Sequence, residues 1–316
     1  MGSSQQLFEG VIIMLLMIAL AVFLKKIRLL DESASKIFGS LVLKVTLPAL
    51  IFYSLAVQNF TPELLKLATV VAITEIICIF LAWIIAGIIK LNRAETGALM
   101  LVSAFGMSAM LGYPLIREVF PGDIHAIEDA AISSELGVGV ILFILGPMIA
   151  IHFGESRFDN KAVLSSLKQF IVSPIFISIV LGIVVSFFPI PMENHVVITI
   201  KQLLKHLSNA NSLLVALTIG LIIETKIPSK VYLFLAVAIL LKLILQPVIA
   251  QVLGSTLNLP SLQKEVVLIE TAMPSAILTA IFAKQYNCKP ELVSKAIVAT
   301  LIISLLSVTT IFDIYF

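Results

Sequence analysis

The sequence predicts an all-α polytopic membrane protein of about ten spans, arranged as two repeats of five helices each. Three observations predict this class: an apolar composition, a series of apolar runs of membrane-spanning length, and a proline-containing break at a matching place in each half. Of the 316 residues, 59% are hydrophobic and 13% are charged, and the mean hydropathy is +1.11. This apolar share is higher than that of ordinary soluble domains, so lipid is the expected environment.

The apolar runs define the predicted spans. A helix needs about 20 residues to cross a hydrocarbon core of roughly 30 Å, and β-strands with an open edge are excluded because lipid leaves their backbone groups unpaired. The predicted spans are 8–24, 35–57, 64–89, 95–120, 130–153, 167–188, 198–223, 231–253, 264–286 and 292–316. We interpret the first run as a retained span, because Glu9 precedes it and Lys25-Lys26 follow it, the reverse of a secretory signal.

A hydrophilic stretch at 152–168 divides the chain near its middle. We therefore predict a first repeat of five helices at 1–153, a linker at 154–166 and a second repeat at 167–316. Because five is odd, the second repeat would be inverted relative to the first.

The distribution of basic residues predicts the orientation. Most of the 21 Lys and Arg residues fall in loops on the side opposite the N-terminus, and cytoplasmic loops carry the excess of such residues. The basic residues predicted on the N-terminal side are Lys66, Arg117, Lys201, Lys205 and Lys264. We therefore expect a protein of the cell membrane with both termini outside and the linker in the cytoplasm.

The fourth and ninth predicted spans each contain a helix-breaking proline. Pro114 lies in AMLGYPLIREVF beside Gly112, and Pro274 lies in ETAMPSAILTA. Proline removes a backbone donor and clashes with the preceding turn, and glycine lowers helix propensity further. Matched breaks of this kind point to the binding site of a transporter. The alternative is that each proline merely kinks its helix.

Two charged residues stand near the middle of corresponding spans, Glu75 in the third and Lys242 in the eighth. Charges at such depth cost a few kcal/mol on insertion scales, and they are functional by default. We expect them to compensate the dipoles of the half-helices that meet at the breaks. An interhelical ion pair, or a lysine that reaches the interface, is the alternative.

Other polar residues within the spans are weaker candidates. Glu270 precedes Pro274 by about one helical turn and could take up a proton during transport; packing of the half-helix or contact with an aqueous vestibule is the alternative. Asn211 could form an interhelical hydrogen bond or face a substrate, while Lys44 is expected to be structural. Glu135 is a further candidate near the first break.

Several motifs resemble those of the auxin efflux carrier family of bacterial, archaeal and plant membrane transporters. They are FGMSAMLGYPL, IGLIIE, LLKLILQPVIA and ETAMPSAILTAIFAKQYNCKPELVSKAIVATLIISLLSVTT. The short linker is similar to that of prokaryotic members. The resemblance implies ten helices in inverted repeats, as in sodium/proton antiporters and bile-acid symporters, with broken helices 4 and 9 crossing each other. It also implies a homodimer and an elevator movement, in which helices 3–5 and 8–10 carry substrate against a scaffold of helices 1, 2, 6 and 7.

The sequence departs from the family pattern just before the first break. Where relatives usually carry Asn-Thr-Gly, this chain has Met107, Ser108 and Ala109. Ser108 still offers a hydrogen bond, but Met107 offers only a soft apolar surface. The exposed N–H groups of the half-helices would nevertheless suit a carboxylate. The predicted substrate-binding residues are Met107, Ser108, Gly112, Tyr113, Pro114, Ala272, Met273, Pro274, Ser275 and Asn211.

These observations predict a secondary transporter of a small organic anion, such as an auxin-like acid or a mono- or dicarboxylic acid. Its four His residues have no metal-ligand spacing, and Walker and GxSxG motifs are absent from the sequence, so we expect neither an enzyme nor a cofactor or metal. Expected partners are the anion, membrane lipid, a second copy of the chain and a coupling proton or sodium ion, but no nucleic acid. The alternatives are a sodium-coupled importer similar to bile-acid symporters, and a non-transporting membrane receptor or channel.

Overall fold

The computed structural model describes residues 3–56, 63–154, 164, 168, 171–188, 194–222 and 231–316, and their regular structure is helical. Six helices in these ranges are long and apolar enough to cross a membrane, and the helix Pro174–Ser186 is a shorter apolar one. The expectation of an all-helical membrane protein is therefore confirmed. The scheme of ten spans in inverted repeats stays a prediction.

Within the described ranges, four π-helical segments run directly into neighbouring α-helices. The α-helices in chain order are α1 (Ser3–Lys26), α2 (Glu32–Leu41), α3 (Leu47–Ala56), α4 (Glu63–Ile88), α5 (Arg93–Ala104), α6 (Tyr113–Val119), α7 (Ile124–Ile132), α8 (Val140–Phe153), α9 (Pro174–Ser186), α10 (His195–Asn209), α11 (Asn211–Ile222), α12 (Tyr232–Ile239), α13 (Gln246–Thr256), α14 (Ser261–Thr271), α15 (Ile277–Gln285) and α16 (Pro290–Tyr315). The π segments are Val42–Thr46, Ser108–Gly112, Ser133–Gly139 and Leu240–Leu245.

Polar side chains define where several of these helices begin. Asp31 accepts hydrogen bonds from the N–H groups of Ser33 and Ala34 at the start of α2. Asn92 and Glu95 form a reciprocal capping box at the start of α5. Ser173 caps α9 ahead of a proline in its first turn. Each cap satisfies N–H groups that have no partner within the helix, so the helices begin directly after these residues.

The described chain forms two compact units, and each draws on both halves of the sequence. Unit 1 comprises Met1–Leu64, Ala109–Ala131 and Ile171–Glu224. Within it α1 packs against α6 and α11, and α3 packs against α9. Gly220 allows a close approach of α11 to α1, because a Cβ there would lie 2.5 Å from the Cβ of Ala21. Small residues commonly permit such contacts between membrane helices.

Unit 2 comprises Leu65–Ser108, Ile132–Phe170 and Thr225–Phe316. Within it α5 packs against α8 and α16, and α13 packs against α14. Here too a glycine sits at a close contact, since a Cβ at Gly97 would lie 2.4 Å from the Cβ of Phe153. Apart from Gly154 and Leu164, the predicted linker at 154–166 lies outside the described residues.

Candidate functional site

Two interruptions of helices pair with each other inside unit 2. The first follows α5, where Phe105 is extended at φ −89° and ψ 122°. The second follows α14, and Ala276 is extended before α15 begins. Gly106 and Ser275 form an antiparallel bridge. The Met107 N–H donates to the Pro274 carbonyl at 2.7 Å, and the Ala276 N–H donates to the Phe105 carbonyl at 2.9 Å. We call residues 105–107 and 272–276 the paired interruptions.

The two prolines stand in different places relative to these interruptions. Pro274 lies inside the second one, together with the predicted residues Ala272, Met273 and Ser275. Pro114, however, lies in the first turn of α6, after the π segment, so the first interruption precedes the position predicted for it. Proline is tolerated in a first turn because the N–H it lacks has no acceptor there.

Lys242 and Gln246 bind the carbonyl ends of both interrupted helices. The Lys242 Nζ is fully buried and donates to the Thr271 carbonyl at 2.8 Å and to the Gln246 Oε1. The Gln246 Nε2 donates to the Ala104 carbonyl at 2.7 Å. The last carbonyls of a helix lack internal partners and carry partial negative charge. One lysine–glutamine pair, four residues apart, therefore satisfies a carbonyl at the end of α5 and another at the end of α14.

Gly106 brings the first interruption against this lysine. A Cβ at Gly106 would lie 3.1 Å from the Lys242 Nζ and 3.5 Å from the Glu270 carbonyl oxygen. Those distances leave little room for any side chain. Glycine at 106 thus lets the backbone of the first interruption lie against the buried ammonium without displacing the lysine.

The second interruption is also bound by α16. The Ser275 N–H donates to the Thr300 Oγ1 at 3.1 Å, and the Ser275 Oγ donates to the Val102 carbonyl at 2.6 Å. The sequence pattern did not indicate Thr300 or Gln246 as site residues. A signal existed for Gln246, which lies one turn after Lys242 on the same helical face.

The buried acids Glu75 and Glu270 have no hydrogen-bond partners for their carboxyl oxygens in the described part of the chain. Lys242 acts electrostatically on both, but the ion pairs found among the described residues include neither of them. Glu135 repels Glu270 and accepts a hydrogen bond from the Ser134 hydroxyl at 3.3 Å. The environment of the paired interruptions in unit 2 therefore contains more buried acids than buried lysines.

The remaining predicted site residues have these positions. Ser108, in unit 2, shares a hydrogen bond of 2.9 Å with Ser134. Gly112, Tyr113 and Pro114 are buried in unit 1. Also in unit 1, the Asn211 Oδ1 accepts a hydrogen bond from Thr46 at 2.8 Å.

The buried Nδ2 of Asn211 has no hydrogen-bond partner among the described residues, so both of its N–H donors are unused. Lys44 is exposed within its π segment. Over the ranges that the structure describes, no three His, Cys, Asp or Glu side chains are grouped as a metal site.

Comparison with known proteins identifies the family. The family model described as membrane transport protein matches residues 6–150 and 155–312. An uncharacterized transporter of Methanocaldococcus jannaschii is 28% identical over 302 residues, which cover 94% of this chain and 95% of that protein. An uncharacterized transporter of Methanothermobacter thermautotrophicus is 26% identical over 311 residues, which cover 97% of this chain and 96% of that protein. The chain therefore belongs to the membrane transport protein family, that of the auxin efflux carriers.

Proposed function

We propose that this membrane transporter is a secondary carrier of a small organic anion, such as an auxin-like acid or a mono- or dicarboxylic acid. The observation that carries the proposal is the geometry of the paired interruptions. Lys242 and Gln246 bind carbonyl groups at the ends of the two helices, α14 and α5, that lead into these interruptions. Interrupted helices deep in a membrane protein expose backbone groups that bind substrates and ions.

The polarity at the paired interruptions favours an anion. The first turn of α15 has no side-chain cap, since Ala276 occupies the position before it. Its N–H groups carry partial positive charge and form a ready site for a carboxylate. The opposite partial charges, on the carbonyl ends of α5 and α14, are already engaged by Lys242 and Gln246. The positive helix end is therefore left for the ligand.

We propose that unit 2 carries the substrate and that unit 1 is the scaffold of an elevator-type movement. The division of the described chain supports this assignment, because unit 1 contains α1–α3 and α9–α11 while unit 2 contains α4, α5, α8 and α12–α16. Residues 109–131 group with unit 1, although the resemblance assigns them to the transport helices. Both paired interruptions lie in unit 2, so their backbone pairing would remain intact as that unit moves.

We further propose that a proton taken up at Glu270 couples the cycle. An ionised carboxylate without hydrogen bonds is costly in a dry interior. Both carboxyl oxygens of Glu270 are buried and have no hydrogen-bond partner in the described structure. The same oxygens favour a second candidate function, a sodium-coupled importer, because carboxylate oxygens also bind hard cations. Dependence of transport on a sodium or a proton gradient distinguishes the two.

Counterflow in proteoliposomes tests the proposal. Mono- and dicarboxylates would first be screened for thermal stabilisation of the purified protein, and any hit would then be tested for saturable exchange. We expect Lys242→Ala to abolish exchange, because the Thr271 carbonyl loses its charged donor. Lys44→Ala, which removes an exposed lysine from another π segment, is the matched control. Normal exchange by Lys242→Ala, or an unsaturable conducting pore, would refute the carrier mechanism.

A further inference from the structure

An apolar groove lies where α4 ends and α5 begins, away from the paired interruptions. Its volume is about 460 Å³, and its lining includes Trp83, Ile84, Gly87, Arg93 and Phe153. Trp83 is 50% exposed. A Cβ at Gly87 would meet no heavy atom within 4 Å, so this side of α4 is open. The groove thus presents aromatic and aliphatic surface to whatever surrounds the protein.

Arg93 places a positive charge at the rim of this groove. Its Nη2 donates to the His152 carbonyl, and the described ion pairs do not include it. The nearest acid in sequence, Glu95, is engaged in the capping box, where it accepts a hydrogen bond from the Asn92 N–H at 3.1 Å. The exposed guanidinium therefore has donors left for an anion.

The depth of these residues matches the two parts of a phospholipid. Trp83 precedes the end of α4 at Ile88 by five residues, or about 7.5 Å along the helix axis. Tryptophan prefers the boundary between hydrocarbon and headgroups. Arg93 lies beyond the end of α4, on the side where basic residues are concentrated in the sequence. Apolar surface below a cation is complementary to an acyl chain below a phosphate.

We propose that this groove binds one anionic phospholipid, with its phosphate on Arg93 and an acyl chain along Trp83 and Gly87. The apolar lining explains why the ligand is a lipid rather than free phosphate. Anionic lipids are attracted by basic side chains at the membrane surface. The site is separate from the proposed substrate site and does not depend on which anion the protein carries.

Trp83 provides a direct measurement, because it is the single tryptophan of the chain. The protein would be reconstituted in phosphatidylcholine vesicles that contain increasing fractions of dibrominated phosphatidylglycerol or, in parallel, dibrominated phosphatidylcholine. Bromine quenches tryptophan fluorescence at short range, so each titration gives a relative association constant at Trp83. We expect phosphatidylglycerol to bind about fivefold more tightly, the selectivity that one basic residue provides.

Three variants separate this site from general attraction to an anionic surface. Arg93→Gln should abolish the selectivity, so that the ratio of the association constants of the two lipids falls to about one. Gly87→Phe, which fills the groove and leaves Arg93 in place, should reduce it as well. Lys284→Gln, which removes an exposed basic residue elsewhere in unit 2, should preserve it. Equal quenching by both lipids in the unmodified protein, or undiminished selectivity in Gly87→Phe, overturns the proposal even if Arg93→Gln fails to fold.

Discussion

Replacing Gln246 by leucine tests whether the lysine–glutamine pair stabilises the paired interruptions. The substitution removes the acceptor of one Lys242 hydrogen bond and the donor to the Ala104 carbonyl. Leucine has nearly the same side-chain volume as glutamine, so the substitution leaves little void at a position that is 1% exposed. The Lys242 bond to Thr271 and the backbone bridge at Gly106 are not altered directly.

The expected cost follows from the two lost hydrogen bonds. A hydrogen bond to a charged group contributes about 1.5–3 kcal/mol, and a neutral one between membrane helices contributes about 0.6–1.7 kcal/mol. Their sum gives about 2–5 kcal/mol for local opening of the paired interruptions. Since each 1.4 kcal/mol changes an equilibrium constant tenfold, the open fraction should rise at least about 30-fold.

Amide hydrogen exchange measures this opening. The informative amides are those of Met107 and Ala276, whose hydrogen bonds join the two interruptions. Under conditions in which exchange reports the opening equilibrium, both should exchange at least about 30-fold faster in Gln246→Leu. Saturable counterflow should fall in parallel, because the half-helix ends lose their fixed geometry.

Gln251→Leu provides the matched control. Gln251 lies on the same helix, is equally buried and donates to the Lys264 carbonyl at 2.6 Å, away from the paired interruptions. It should cost about 1 kcal/mol and leave exchange at Met107 and Ala276 unchanged. Unchanged amide exchange in Gln246→Leu, or equally accelerated amide exchange in both variants, would refute the conclusion that Gln246 stabilises the paired interruptions.

Two further predictions concern packing and thiol chemistry. Gly220→Val should lower the melting temperature, because the new Cβ would lie 2.5 Å from the Cβ of Ala21. The expected loss of stability is about 1–3 kcal/mol. Gly87→Ala is the control without a clash, and equal melting temperatures of the two variants would contradict the expected overpacking. Burial raises the pKa of the Cys288 thiol to about 12. In a Cys78→Ala background, the rate at which maleimide labels Cys288 should therefore be slow at neutral pH. As long as the protein stays folded, this rate should rise about tenfold per pH unit. Fast labelling at pH 7, with a denatured sample as reference, would contradict this protection.

Hydropathy predicted the long apolar helices closely. The predicted span 64–89 corresponds to Glu63–Ile88, and 292–316 corresponds to Pro290–Tyr315. The predicted span 198–223 instead consists of α10 and α11, which meet at Ala210. A window average detects apolar length, but it does not detect a turn inside a polar stretch such as Ser-Asn-Ala-Asn.

The candidate site was less accessible to sequence reasoning. Pro274 indicated the second interruption correctly, since proline has no N–H to continue α14. Pro114 misplaced the first, because the same residue type also begins helices, as it does in α6. The partners of Lys242 could not be predicted, since its bonds to Thr271 and, through Gln246, to Ala104 join segments that are distant in sequence.

Met107 contributes to the paired interruptions through its backbone rather than through its side chain. The resemblance places an asparagine at this position in relatives, yet the hydrogen bond to the Pro274 carbonyl comes from the Met107 backbone N–H. Any residue except proline supplies that donor. The bridge at Gly106 and the Lys242 bond to the Thr271 carbonyl at the end of α14 likewise use backbone atoms. We therefore expect a substitution of the side chain at 107 to leave the geometry of the paired interruptions intact, so that Met107→Asn tests the proposed substrate contact without disturbing the backbone pairing.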